Sequence, residues 1–175
     1  MQLKDETGRE RAIELLSERL VFEQASVALY DSVLERLRPR GGPYETVKAH
    51  LRRIREEKKS NEEFLAEELR ILGGGQPSDH SLVLLEEWRS IAEALAEEDA
   101  DPSRLFHALM LAEVYDSGGW ELLLDLAARN EDVEAAQEFR QRLGEGQEHF
   151  LFVSRIVAKL SRSVPLDDAP MSAAP

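Results

Sequence analysis

The sequence predicts an all-α protein, a left-handed four-helix bundle built as two antiparallel hairpins joined by a long crossover. Three observations carry this. Helix formers dominate, and no stretch alternates apolar and polar residues with β-branched enrichment. A mostly apolar seam recurs at alternating steps of three and four, as in Ile13, Leu16, Leu20, Glu23, Val27, Tyr30, Leu34 and Leu37. Clusters of Gly and Pro divide the chain into helix-length pieces.

The first helix is expected from about Asp5 to Leu37, where Pro39, Gly41, Gly42 and Pro43 force a turn. The second runs from about Tyr44 to Leu72 and is stopped by Gly73-Gly74-Gly75. Asp101 followed by Pro102 is a cap residue and a first-turn proline, and opens a third helix that reaches about Arg129. The fourth runs from about Asp132 to Leu160. Short turns within each pair imply antiparallel hairpins. The link between the pairs, Gly73 to Asp101, is about 29 residues, long enough to cross a bundle at about 1.5 Å per helical residue, and Leu82 to Ala96 has the periodicity of a short extra helix. Residues 1–163 thus form one helical domain. Residues 164–175, rich in Pro, Ala, Ser and Asp, read as a flexible C-terminal tail.

The 175 residues suit one domain, and 33% charged against 42% hydrophobic is an ordinary soluble balance. A net charge of -13 argues against nucleic acid and anionic membrane surfaces as partners. No apolar run approaches membrane-spanning length, and the charged N-terminus lacks the apolar core of a signal peptide. With no cysteine, disulfides, thiolate metal sites, iron–sulfur clusters and cysteine nucleophiles are excluded. The expectation is a cytoplasmic protein. No phosphate-binding loop, Ser-His-Asp order or dinucleotide fingerprint is present, so no catalytic or organic-cofactor residue is assigned.

The chemistry is expected in one place. Glu23 falls in the middle of the first helix's apolar seam, and a bare carboxylate there is too costly unless paired, protonated or bound to a cation. Lys58, Asn61, Glu113 and His149 hold equivalent places on the other three helices. The two halves of the chain also repeat. Leu20-Val21-Phe22-Glu23 precedes Tyr30 by the same spacing as Met110-Leu111-Ala112-Glu113 precedes Trp120, and Asn61 follows Glu23 at nearly the distance that His149 follows Glu113. His50, His80 and His107 have no partners at metal-ligand spacing and read as surface or flank residues. Two glycines in Tyr115-Asp116-Ser117-Gly118-Gly119-Trp120 suggest close helix packing, with a dimer interface as one setting for it.

This pattern resembles the ferritin-like superfamily of diiron-carboxylate bundles, which includes bacterioferritins and rubrerythrins. The resemblance covers nearly the whole chain apart from its ends. It implies a metal-ligand glutamate on helices one and three, matched here by Glu23 and Glu113, and Glu-x-x-His on helices two and four. A tyrosine seven residues after the first glutamate is matched by Tyr30. The second-helix histidine is replaced by Asn61, its glutamate by Lys58, and the fourth-helix glutamate by Gly146, so only Glu23, Glu113 and His149 retain a ligand. The two missing glutamates are those that bridge the metals in this family.

The resulting expectation is a ferritin-like domain with an eroded dimetal site. It would be a non-catalytic binding or structural protein, with no tightly bound metal, a homodimer as the oligomer and an unknown protein as a further partner. The alternative is one Fe, Mn or Zn ion held by Glu113 and His149, with Glu23 and Glu145 as further ligands and redox or iron-related activity. Lys58 either pairs with Glu23, Glu113 or both in place of a metal, or runs its stem along the seam and puts its ammonium in water.

Overall fold

The computed structural model describes residues 6–38, 42, 44–74, 82–83, 86, 88, 90 and 101–162. Among them there are four long helices and no strand: α1 (Glu6–Leu37), α2 (Tyr44–Ile71), α3 (Pro102–Arg129) and α4 (Val133–Ser161). Leu82, Val83, Glu86, Trp88 and Ser90 are helical, in the stretch expected to form the crossover helix. The rest of that segment and the expected tail lie outside the described residues, as does His80. No described helix is long and apolar enough to cross a membrane.

Local chemistry sets the helix ends. Gly73, at φ +71°, follows α2 with its N–H bonded to Arg70 O at 3.1 Å, while Gly74 N–H reaches Leu69 O at 2.9 Å. This paired closure needs a left-handed residue, which glycine supplies without a Cβ clash. The same two bonds close α3, from Glu131 N to Ala128 O and from Asp132 N to Ala127 O, but with Glu131 at φ 59°. Asp132 then caps α4 by accepting from Ala135 N at 3.1 Å, and Asp101 caps α3 by accepting from Ser103 N at 3.3 Å.

α1 packs most extensively on α2, α3 on α4, and α1 also on α3. Arg9 near the start of α1 donates to Leu72 O beyond α2, Glu23 meets Asn61, and Asp31 pairs with Arg55. The innermost row of α1 is Ala12, Leu16, Arg19, Glu23, Ser26, Tyr30, Val33 and Leu37, all buried. The expected seam shares Leu16, Glu23, Tyr30 and Leu37 with it, but Ile13, Leu20, Val27 and Leu34 are only half-buried. That small rotation brings Arg19 inside.

The apolar core comes in two parts. One is built around Leu29, Val33, Leu51, Ile54, Phe106 and Ile156, the other around Leu16, Leu65, Leu69, Trp120, Leu123 and Phe139. A layer of charged and polar side chains lies between them, contributed by all four helices.

Candidate functional site

The layer contains Arg19, Glu23, Lys58, Asn61, Glu113, Asp116 and His149, none more than 3% exposed. α1 supplies Arg19 and Glu23, one turn apart. α2 supplies Lys58 and Asn61 at a spacing of three. α3 supplies Glu113 and Asp116 at the same spacing, and α4 supplies His149 and the glycine Gly146. Spacings of three and four keep each pair on one helical face, so four inward faces meet at one height.

Lys58 is central. Its Nζ lies 2.8 Å from Asp116 Oδ1 and 3.1 Å from Glu113 Oε2. With the residue 1% exposed, its ammonium does not reach water. Arg19 Nη2 donates to Glu23 Oε1 at 2.5 Å and also to Asp116 Oδ1. The Arg19 guanidinium lies between two rings, 4.7 Å from the Phe22 centroid and 4.8 Å from that of Trp120. This face-on placement favours a partly desolvated cation. The Tyr30 hydroxyl donates to Glu113 Oε1 at 2.8 Å, so both oxygens of Glu113 are engaged.

The remaining contacts run outward. Asn61 Nδ2 donates to Glu23 Oε1 at 3.4 Å and its Oδ1 accepts from Arg142 Nη1 at 2.5 Å. Arg142 stacks over Phe64, 4.0 Å from its centroid. His149 Nε2 is 2.5 Å from Glu57 Oε2, at the half-exposed rim, and its Nδ1 stands 3.6 Å from Glu113 Oε2, too long for a hydrogen bond. Glu145 instead accepts from Gln141 at 2.9 Å. His50 stacks on Phe152, and His107 bonds back within its own helix to Ser103.

The charges divide unevenly. Burial raises the Glu23 carboxyl to about 7, against the opposing pull of Arg19 and Lys58. Its second oxygen has no hydrogen-bond partner, a setting in which the neutral acid is favoured. Burial works in the same sense on Asp116, but Arg19 and Lys58 together overcome it and hold that carboxyl at about 2. Lys58 is depressed by burial and then raised above its ordinary value by Asp116, Glu113 and Glu23. His149 is likewise lowered by burial but raised on balance by Glu113 and Glu57. Tyr30 is held well above its ordinary value by burial and by Glu113, so its phenol remains a donor.

Two glycines make room for this layer. A Cβ on Gly146 would lie 2.5 Å from Asp116 Oδ2, and one on Gly119 would lie 2.8 Å from Arg19 Nη1. The absent side chains therefore define the space that the Asp116 carboxylate and the Arg19 guanidinium fill.

The residues present do not fit a pair of metal ions. Among the described residues, no three His, Asp or Glu side chains are grouped so as to hold one ion. Lys58 and Arg19 place nitrogens that carry protons, and offer no lone pair, against the carboxylates of Glu23, Glu113 and Asp116. Of the expected site residues, Glu23, Glu113, His149, Lys58, Asn61 and Tyr30 come together, while Glu145 does not join them. Arg19 and Asp116 were missing from the expectation. Asp116 carried a signal, since it lies one turn from Glu113 on the same face. Arg19 sat one position outside the expected seam, where an arginine reads as solvated. Comparison with known protein families, curated proteins and solved structures returns no match for this chain.

Proposed function

We propose that the chain is a ferritin-like domain protein whose dimetal site has eroded into a charge-paired centre, and that it acts as a non-catalytic binding or structural protein. The observation that carries this reading is Lys58. Its ammonium bridges Glu113 and Asp116 at a position where the resemblance implies a metal-bridging carboxylate. Two permanent cations, Lys58 and Arg19, supply inside the bundle the positive charge that bound ions would supply. A centre of this kind orients its helices without needing a metal supply. The pairing of Arg9 with Leu72, Glu23 with Asn61 and Asp31 with Arg55 runs in opposite directions along α1 and α2, which supports an antiparallel hairpin.

A second reading, one ion at the Glu113–His149 edge, is favoured by a single observation. His149 Nδ1 has no hydrogen-bond partner and faces Glu113 across 3.6 Å. Metal analysis after exposure to Fe(II), Mn(II) and Zn(II) separates the two. The charge-paired centre predicts far less than one equivalent of any ion and a melting temperature unchanged by chelator. One tightly held ion per chain, lost in Glu113→Ala and His149→Ala, replaces it with the second reading. Two irons per chain with iron-dependent oxygen consumption overturn both.

A further inference from the structure

α4 carries Arg142, Gly146 and His149 at steps of four and three, so the three share one helical face. Gly146 and His149 belong to the charged layer. Arg142 stands one turn outside it, over Phe64 and 5.9 Å from the Trp120 ring. This is the side on which the bundle is least tightly closed. Among the described residues α1 packs most extensively on α2, α3 on α4, and α1 on α3. α2 and α4 meet chiefly through long side chains: His50 on Phe152, Glu57 at His149, Asn61 at Arg142 and Phe64 with Phe139.

Two arginines reach this interior, and they are held in opposite ways. Arg19 has two carboxylates, Glu23 and Asp116, and an aromatic ring on each face, and these raise its pKa on balance despite burial. Arg142 has the neutral amide oxygen of Asn61 at 2.5 Å, while the Glu138 carboxylate stands off at 3.7 Å. Its Nε is buried with no hydrogen-bond partner. Burial lowers its pKa, and Glu138, Glu145 and Glu23 offset that only in part. A guanidinium with a neutral partner and an unsatisfied N–H gains hydration by swinging outward. It is placed to do so, since its side chain is 14% exposed and Glu138 beside it is half-exposed.

Asn61 is the next group inward. Its Nδ2 donates to Glu23 Oε1 at 3.4 Å, so the order from the surface is Arg142, Asn61, Glu23.

We infer that Arg142 is a mobile plug in the α2–α4 seam, moving between Asn61 and the surface beside Glu138, and that its outward position opens a passage for water and small solutes to the Glu23 end of the charged centre. The inference goes beyond the proposed function. It concerns access, and it holds whether the centre is charge-paired or carries one ion.

The chain has no cysteine, so one introduced thiol reports access without background. Glu23→Cys places it at the inner end of the passage. Ser26→Cys, on the same buried row and with an Oγ that has no partner to lose, leaves Glu23 in place. Ala112→Cys, fully buried in the apolar core, reports opening of the whole fold. Each full-length chain is treated with methyl methanethiosulfonate, a small uncharged reagent. The cysteine thiolate takes its methylthio group, forming an S–S bond as methanesulfinate leaves, and intact mass follows the product. Each rate is divided by that of the same chain unfolded in urea.

Cysteines at 23 and 26 should label about tenfold faster than the one at 112, because local opening costs less than global opening. Arg142→Met keeps a stem over Phe64 but has no charge to hydrate, and should slow labelling at 23 and 26 about tenfold. Arg142→Ala removes the plug and should speed it by a similar factor. Labelling at 112 should follow only the melting temperature of each variant. Equal rates at 23, 26 and 112 overturn the inference, since the reagent then enters only when the whole fold opens. An Arg142→Met chain that labels as fast as its parent, or an Arg142→Ala chain that labels no faster, overturns it too.

Discussion

Gly146 stands directly against Asp116, so close that a methyl group on Gly146 would lie 2.5 Å from the aspartate's Oδ2. The glycine on α4 and the acid on α3 are thus two halves of one feature. A carboxylate enters the centre from α3 into space that a side chain on α4 would have filled. Once there it is shared by Lys58 and Arg19.

Glycine-to-alanine changes should therefore split by position. Alanine ordinarily stabilises a helix interior by about 0.5–1 kcal/mol over glycine. Gly118→Ala and Gly144→Ala, where a Cβ meets nothing within 4 Å, should follow that rule. Gly146→Ala and Gly119→Ala should instead destabilise by about 1–3 kcal/mol, because the added methyl displaces the Asp116 carboxylate or the Arg19 guanidinium from its buried partners. Thermal melts of the four variants read the difference.

Lys58→Met should be severe. Removing the ammonium leaves Glu113, at zero exposure, with no cation and Asp116 with Arg19 alone, for a loss of about 3–5 kcal/mol. Adding Asp116→Asn to it should recover part of that loss. A double-mutant cycle by denaturant titration measures the coupling, and additive effects would show the contact to be energetically idle.

Tyr30→Phe removes only the hydroxyl that donates to Glu113 Oε1. A hydrogen bond to a charged group contributes about 1.5–3 kcal/mol, so a loss in that range is expected by chemical denaturation. Because the ring stays, the apolar packing around it should be unchanged.

Stability should fall with rising pH across the neutral range. The fold holds Glu23 protonated up to about 7, against an ordinary 4.5, so the folded chain binds more protons than the unfolded one between those values. His149 acts in the same direction, its contribution being fully present below 6.5 and lost as the pH passes its raised folded value. Asp116 opposes them only in acid, where its contribution, present above 3.8, is lost as the pH falls toward 2. The contribution of these groups to the melting temperature should thus peak near pH ~4 and decline toward pH ~8. Glu23→Gln should flatten the slope between about 4.5 and 7, and an unchanged slope in that variant would assign the effect elsewhere.

Much of the architecture was legible in the order of residues. Apolar spacing, two turn clusters, and caps such as Asp101-Pro102 and Asp132 mark four helices, because these are local preferences that act within a few residues. The depth of the polar layer was legible too, since Glu23, Lys58, Asn61, Glu113 and His149 interrupt apolar seams at matching heights. What lies between those seams depended on the rotation of each helix about its axis. A turn of one position on α1 moved Arg19 from expected solvent to the centre, and the way α2 and α4 face each other placed Glu57, rather than Glu145, against His149. The glycines at 119 and 146 acquired meaning only when the opposing side chains were in place. Helix identity follows from short-range backbone and side-chain preference. The pairing of charges follows from which groups share a buried space, and only packing in three dimensions decides that.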